Sequence, residues 1–273
     1  MRDALAVSIP SPKASQDAVI RGEIALVIAA LAGATELEAI SFERFNKPDW
    51  GVRLRVLGAR SWLDDVVRPE IERHLAATTF AFGEPAAEDK WVGGREDEDL
   101  LMAFDHADTA ACLAFLEAEA AGRLEASRAQ WSLHVVEAIL GLFPLRADER
   151  LAFYRRGWEW TAESGRWDDE VFAILDGKYE AQESMLREAV SGKAAWGGRE
   201  PEEIALALIE ALRGPIGAIR AAVASGKTSK SVIDLAVVIG HGHSNRLGIH
   251  ATQEATMRYL VWRALGGRRP PSA

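Results

Sequence analysis

LEAISFERFNKPDWGVRLRVLG, residues 37–58, decides the fold, because here the apolar period of the chain changes from helical spacing to two. LEAISFERF (37–45) alternates apolar with polar residues, N-K-P-D (46–49) supplies turn chemistry, and WGVRLRVLG (50–58) alternates again. Two alternating runs around a short turn segment predict a β-hairpin. Side chains two apart on a strand point the same way, so Arg53 and Arg55 share one face while Val52, Leu54 and Val56 take the other. Three readings of the arginine pair stay open: a solvated strand face, a structural pairing with carboxylates, or an anion site. The third follows from the guanidinium fork, which matches carboxylate geometry and stays charged at any working pH. Arg44 on the preceding strand adds a third positive group.

Outward from the hairpin, apolar residues at helical spacing predict a helix from Ser15 to about Ala32 and another from about Ser61 to Ala76. TTFAF (78–82) reads as a third short strand. Residues 1–15, with Pro10 and Pro12 and few large apolar groups, read as a flexible arm. Beyond the strand the chain reads as helical at about 96–121, 127–143, 147–163, 167–191, 201–212, 214–225, 229–243 and 250–265. The breaks carry glycine, proline or capping residues, with Asp148 and Ser229 as candidate N-caps and Pro201 in a first turn. The expectation is an α+β chain, mostly helical with a small N-terminal antiparallel sheet. Residues 16–265 are expected to form a single domain, and 266–273 a disordered tail.

Composition narrows the function. The chain has 273 residues, 48% of them hydrophobic, so it can bury a substantial core. Its net charge of −9 lacks the basic excess of a general nucleic-acid binder. A single cysteine, Cys112, sits in the apolar run DTAACLAFL and reads as helix core. No signal peptide is evident, and EIALVIAAL (23–31) is too short to span a bilayer, so a cytoplasmic location without membrane association is expected. No phosphate-binding loop, dinucleotide fingerprint, nucleophile elbow or zincin pattern occurs. No cofactor is expected.

Near the C-terminus, GHGHSNRLGI (240–249) gathers His241, His243, Asn245 and Arg246 behind an apolar run. If the helix continues to Arg246, His241 and Asn245 lie one turn apart on one face and His243 points elsewhere. Histidines two apart, with no cysteine or acidic cluster beside them, make a poor zinc site, so no metal is expected. A histidine exchanges protons near neutral pH. Asn245 offers an amide to orient a substrate or the imidazole, and Arg246 a charge for an anion. Gly240, Gly242 and Gly248 suggest close approach by a ligand or by another backbone, or tight helix packing. Of the tryptophans, Trp131, Trp158, Trp160 and Trp167 are candidates for a peptide groove, with core packing the commoner role.

Three stretches in order are similar to one family. FERFNKPDWGVRLRVLG resembles the strand–turn–strand "wFIRYxDPxxHLRLRxxG" of the small C-terminal domain of lantibiotic dehydratases, which also occurs alone in thiopeptide maturation. FGEPAAEDKWVGGREDEDLLMAFDHADTAACLAFL resembles that domain's "YxPExxRYGG" segment. HGHSNRLGIHATQEATMRYLVWRAL resembles its closing "HMxxNRLxGxxxxxExxxxxxL" segment. The resemblance implies elimination of glutamate from glutamylated serine or threonine of a ribosomally made precursor peptide, leaving a dehydroamino acid. It implies Arg53, Arg55 and His241 as catalytic residues converging in one cavity, with Arg44, Lys90, Arg95, Asn245 and Arg246 binding substrate. Its implied partners are the leader and core of the precursor peptide and a separate glutamyl-tRNA-dependent glutamylating protein; a homodimer is left open.

The chain departs from the pattern at three places, one of them an N-terminal strand that reads as shortened. Gly51 or Val52 stands where the family has a histidine before R-L-R, and Lys90 or Trp91 stands at the arginine of "RYGG". Lys90 keeps the charge without the bidentate fork, and Arg95 stands just beyond. Two alternatives follow. One is a pyridine synthase that joins two dehydroalanines by a formal aza-[4+2] cycloaddition and expels the leader. The other is a non-catalytic scaffold that binds the leader.

Overall fold

A computed structural model describes residues 2–46, 49–83, 95–165, 167–191 and 196–268. The chain is α+β, mostly helical, and divides into two compact units, Met1–Gly122 and Arg123–Ala273.

The N-terminal unit is built on a four-stranded antiparallel sheet of order β2-β3-β1-β4. Its strands are β1 (Arg2–Pro10), β2 (Ala39–Phe45), β3 (Gly51–Ala59) and β4 (Ala81–Gly83). The expected hairpin is β2–β3. The expected loose arm is corrected: residues 2–10 form an inner strand paired with β3 along its whole length. Leu5, Val7 and Ile9 alternate with small residues and sit opposite Val56, Leu54 and Val52, all buried. Burying that row of apolar side chains stabilises β1, at roughly 1.5–3 kcal/mol for each large one. Of the third strand expected over 78–82, Ala81 and Phe82 belong to the short edge strand β4, and 78–80 are not in a strand.

Helix α1 (Gln16–Val19) runs through a π-helical turn (Ile20–Ile24) into α2 (Ala25–Leu31). Similarly, α3 (Arg60–Trp62) continues through Leu63–Val67 into α4 (Arg68–His74). Their buried residues Ile20, Ile24, Val27, Leu31, Leu63, Val67 and Ile71 join the apolar side of the unit. Helix α5 (Arg95–Ala120) lies against β2. There Ile40 N–H donates to His106 Nδ1 (3.1 Å) and Phe42 N–H to Thr109 Oγ1 (3.3 Å). Side chains of α5 thus satisfy edge-strand groups that would otherwise be open to pairing with another chain. Cys112 is buried in α5, as its apolar setting suggests.

The C-terminal unit is helical: α6 (Arg128–Leu142), α7 (Ala147–Gly165), α8 (Asp169–Val190), α9 (Arg199–Ala224), α10 (Val232–Arg246) and α11 (Ala251–Ala264). The two helices expected over 201–225 are one. Ala205, Leu208, Leu212, Ile216, Ile219 and Ala222 form a single buried stripe that stays in phase through Pro215. Packing along that stripe outweighs the backbone hydrogen bond that proline removes. The cap of α10 is Ser231, in a capping box with Asp234, and not Ser229; Asp148 lies inside the first turn of α7. Trp158, Trp167, Phe172, Tyr259 and Trp262 stack into an aromatic cluster between α7, α8 and α11. Among the described residues no helix is long and apolar enough to cross a membrane.

Candidate functional site

In the N-terminal unit the register assigns each strand residue to a face. Arg53 lies opposite Glu43 and Ser8, and Arg55 opposite Ser41 and Ala6. Towards the end of β3 the same face carries Leu57, which packs with Ala4, Ala39 and Met102 of α5. The two arginines therefore continue a face that is covered at one end and polar beyond it. Arg53 pairs with Glu43 at 2.7 Å and lies over the Phe45 ring at 5.2 Å. Arg55 is half-buried. Arg44 does not join them. It lies opposite Val52, on the apolar face, and pairs with Asp17 of α1 at 2.8 Å. Side-chain alternation puts it there: Arg44 is out of step with Glu43 and Arg53 by one residue. Lys90 and Trp91 lie outside the described residues. Arg95 opens α5, and its side chain lies outside them too.

In the C-terminal unit α10 runs to Arg246 and closes with Gly248 at φ +75°. Ile249 N–H donates to the Ser244 carbonyl and Gly248 N–H to that of Asn245, both at 2.9 Å, the Schellman arrangement. Gly248 thus serves as the helix stop. The α10–α11 connection that follows brings His241 beside the second helix. Its Nδ1 is 2.7 Å from Glu254 Oε2 on α11, and its side chain is 36% exposed. The Trp160 ring on α7 and the imidazole meet edge to face, 5.6 Å between centroids and 88° between planes. Trp160 is 37% exposed, whereas Trp131 and Trp158 are buried, so of the tryptophans suggested for a groove Trp160 is the one that flanks His241. His243 points inward and packs on Trp131, 5.4 Å between ring centroids. Asn245 is half-buried and Arg246 buried.

Glu254 is the residue that the sequence reading missed. It is buried, and it pairs with the equally buried Arg258 at 2.5 Å, one turn along α11. Burial pushes its carboxyl up. The Arg258 charge and then His241, which also hydrogen-bonds the carboxylate, outweigh that and hold Glu254 below the ordinary carboxylate range. An ionised carboxylate only accepts hydrogen bonds, so Nδ1 of His241 carries the proton in this pair. Nε2 is then the ring nitrogen that lacks the proton in the neutral imidazole. A signal for Glu254 existed: it lies one residue short of the glutamate in the closing "NRLxGxxxxxE" pattern.

Arg258 lies over the Phe153 ring at 4.9 Å. A small cavity of about 20 Å³ beside it is lined by Ser132, Tyr154, Ser244, Met257 and Glu254 among others. Gly240 also finds its explanation here. A Cβ at that position would stand 2.8 Å from Arg258 Nη2, and one at Gly157 of α7 would collide with Nη1 and Cδ of the same side chain. The two glycines form the slot that the guanidinium fills.

The sequence matches the family model described as "Lantibiotic biosynthesis dehydratase C-term" over residues 5–265. The chain belongs to that family. Solved structures agree on the fold. The tRNA-dependent lantibiotic dehydratase MibB from Microbispora sp. 107891 is similar at TM-score 0.73 and 17% identity over 96% of this chain. The match takes in 28% of the MibB chain, so this chain spans less than a third of that dehydratase. The pyridine synthase TbtD from thiomuracin biosynthesis matches at TM-score 0.70 and 19% identity over 96% of this chain and 97% of its own. TsrL matches at 0.69 and 16% identity over 97% and 94%. At these identities the likeness establishes the fold alone. No curated protein matches the chain.

Proposed function

We propose that the chain modifies a ribosomally made precursor peptide by eliminating glutamate from glutamylated serine or threonine. The carrying observation is an imidazole, one-third exposed, whose Nδ1 is held by a buried carboxylate, in a chain that belongs to the dehydratase C-terminal family. In this reading Nε2 of His241 removes the α-proton of the esterified residue. The Cβ–O bond then breaks, the Cα=Cβ double bond forms, and glutamate departs as its carboxylate. The imidazolium formed is stabilised by Glu254. Arg53 and Arg55 hold and neutralise the anionic glutamate. Arg53 enters that role already paired with Glu43, so binding exchanges one carboxylate partner for another. The peptide substrate, and a separate protein that supplies the glutamyl ester from glutamyl-tRNA, belong to the same proposal.

A second reading is cycloaddition. It is favoured by the match over 97% of the pyridine synthase chain, against 28% of the dehydratase, and by the capture of Arg44 by Asp17. Mass spectrometry separates the two. The purified chain is incubated with a glutamylated precursor peptide and, in a second reaction, with a peptide carrying two dehydroalanines. Loss of glutamate from the first supports elimination. Loss of the leader from the second, with the first unchanged, refutes it in favour of cycloaddition. Binding without a mass change in either supports a scaffold.

A further inference from the structure

We infer that Glu254 and Arg258 are positioning residues for His241: Arg258, seated in the slot between Gly157 and Gly240, fixes the Glu254 carboxylate, and that carboxylate fixes the imidazole in its Nδ1–H form. The catalytic meaning of this arrangement rests on the proposed elimination, whereas the orientation of the ring does not.

The argument is geometric. A histidine on the surface of a helix samples several rotamers and both tautomers. His241 is constrained on two sides, by Glu254 from α11 and by the Trp160 ring from α7. A carboxylate that orients a ring must itself stay in place. Glu254 has 8% of its side chain exposed and Arg258 has 6%, so neither exchanges partners with solvent. Arg258 is held in turn by the Phe153 face and by the space that two glycines leave. Either glycine replaced by alanine places a methyl group where the guanidinium lies. Three helices thus contribute to the placement of one ring: α7 through Gly157, Phe153 and Trp160, α10 through Gly240 and His241, and α11 through Glu254 and Arg258. A purely structural ion pair would need Arg258 and Glu254 but not the Nδ1 contact.

The groups that face this cluster set the expected titration. Glu254 presents a negative charge to His241, and Arg258 a positive charge to Glu254. Tyr154 of α7, which feels the charges of Arg150 and Arg258, is kept un-ionised by burial. Ser132 of α6 and Ser244 of α10 line the adjoining cavity and carry no charge. Removing the Glu254 charge therefore lowers the pKa of His241, by about 1 unit or more for an opposite charge in contact. Displacing Arg258 while keeping Glu254 raises it.

The test is an NMR titration of His241 in the whole chain, with ring ¹⁵N shifts to report which nitrogen is protonated. It is run on the wild type, Glu254→Gln and Gly157→Ala, with circular dichroism to check the fold. Glu254→Asp, which keeps the charge but withdraws it from the ring, is the second variant if Glu254→Gln does not fold. The expected results are an Nδ1–H ring in the wild type, a lower pKa in Glu254→Gln and a higher one in Gly157→Ala. Glu254→Asp should show mixed tautomers. An Nε2–H ring in the wild type, or the same pKa in wild type and Glu254→Gln, overturns the inference. Titrations that shift as expected, in a chain that releases no glutamate from a glutamylated peptide, support the positioning and refute elimination.

Discussion

Arg53 and Arg258 each face a glutamate, and the two pairs are built for different ends. Arg53–Glu43 spans neighbouring strands on a polar sheet face, with 16% and 32% of the side chains exposed. Arg258–Glu254 lies inside the helical unit, closed off by Phe153, Gly157 and Gly240. Water and salt weaken the first pair, so its arginine can trade one carboxylate for another at little cost. The second has given up its hydration and is stable only while both members stay paired. An arginine meant to receive an anion is suited by the first setting, and one meant to hold a fixed geometry by the second.

That contrast is broken or sharpened by substitution. The largest effect is expected from Arg258→Ala, which leaves the Glu254 carboxylate buried beside the imidazole of His241 without its guanidinium partner; a loss of about 3–5 kcal/mol in denaturant unfolding is expected. A loss below about 1 kcal/mol, the level of a surface pair, would erase the distinction between the two regions. Gly157→Ala comes next. It removes no charge and no polar group, yet overfills the slot, and about 1–3 kcal/mol of destabilisation is expected. Stability equal to the wild type would show that Arg258 moves aside freely.

Acid should reveal the same pair more gently. The folded-state pKa of Glu254 lies below its ordinary value of 4.5, so its ionised form contributes stability above that pH. The contribution is lost as pH falls through the depressed pKa, because the unfolded chain then takes up the proton first. A pH series of thermal unfolding should decline below about pH 4.5 in the wild type and less steeply in Glu254→Gln. Parallel curves would contradict the assignment. The smallest change in stability is expected from Arg53→Ala, at most about 1 kcal/mol, while peptide turnover collapses. If stability falls sharply and turnover persists, Arg53 is structural and the sheet arginines have no part in binding the anion.

The hairpin and the facing of Arg53 and Arg55 were legible because strict alternation of large apolar and charged residues has one physical reading. Strand β1 was hidden by its own small residues: Ala4, Ala6 and Ser8 dilute the signal of Leu5, Val7 and Ile9, and Pro10 and Pro12 suggest a loop. Pro215 split one helix into two on paper, although the buried stripe runs through it unbroken. At the candidate site, the sequence reading singled out His241 and passed over the groups packed around it. A glutamate four residues before an arginine on a helix usually reads as a solvated pair. The partners that bury this one, Gly157 and Phe153, lie about a hundred residues away in the chain, where no local pattern points to them.

The most direct measurement of the central claim is the rate of glutamate release from a glutamylated precursor peptide deuterated at the α-carbon, with wild type and His241→Ala. Release from the wild type should be slowed by deuterium, and His241→Ala should fold normally while losing about 100-fold or more in rate, the usual contribution of a general base. Release by His241→Ala at the wild-type rate would contradict the account.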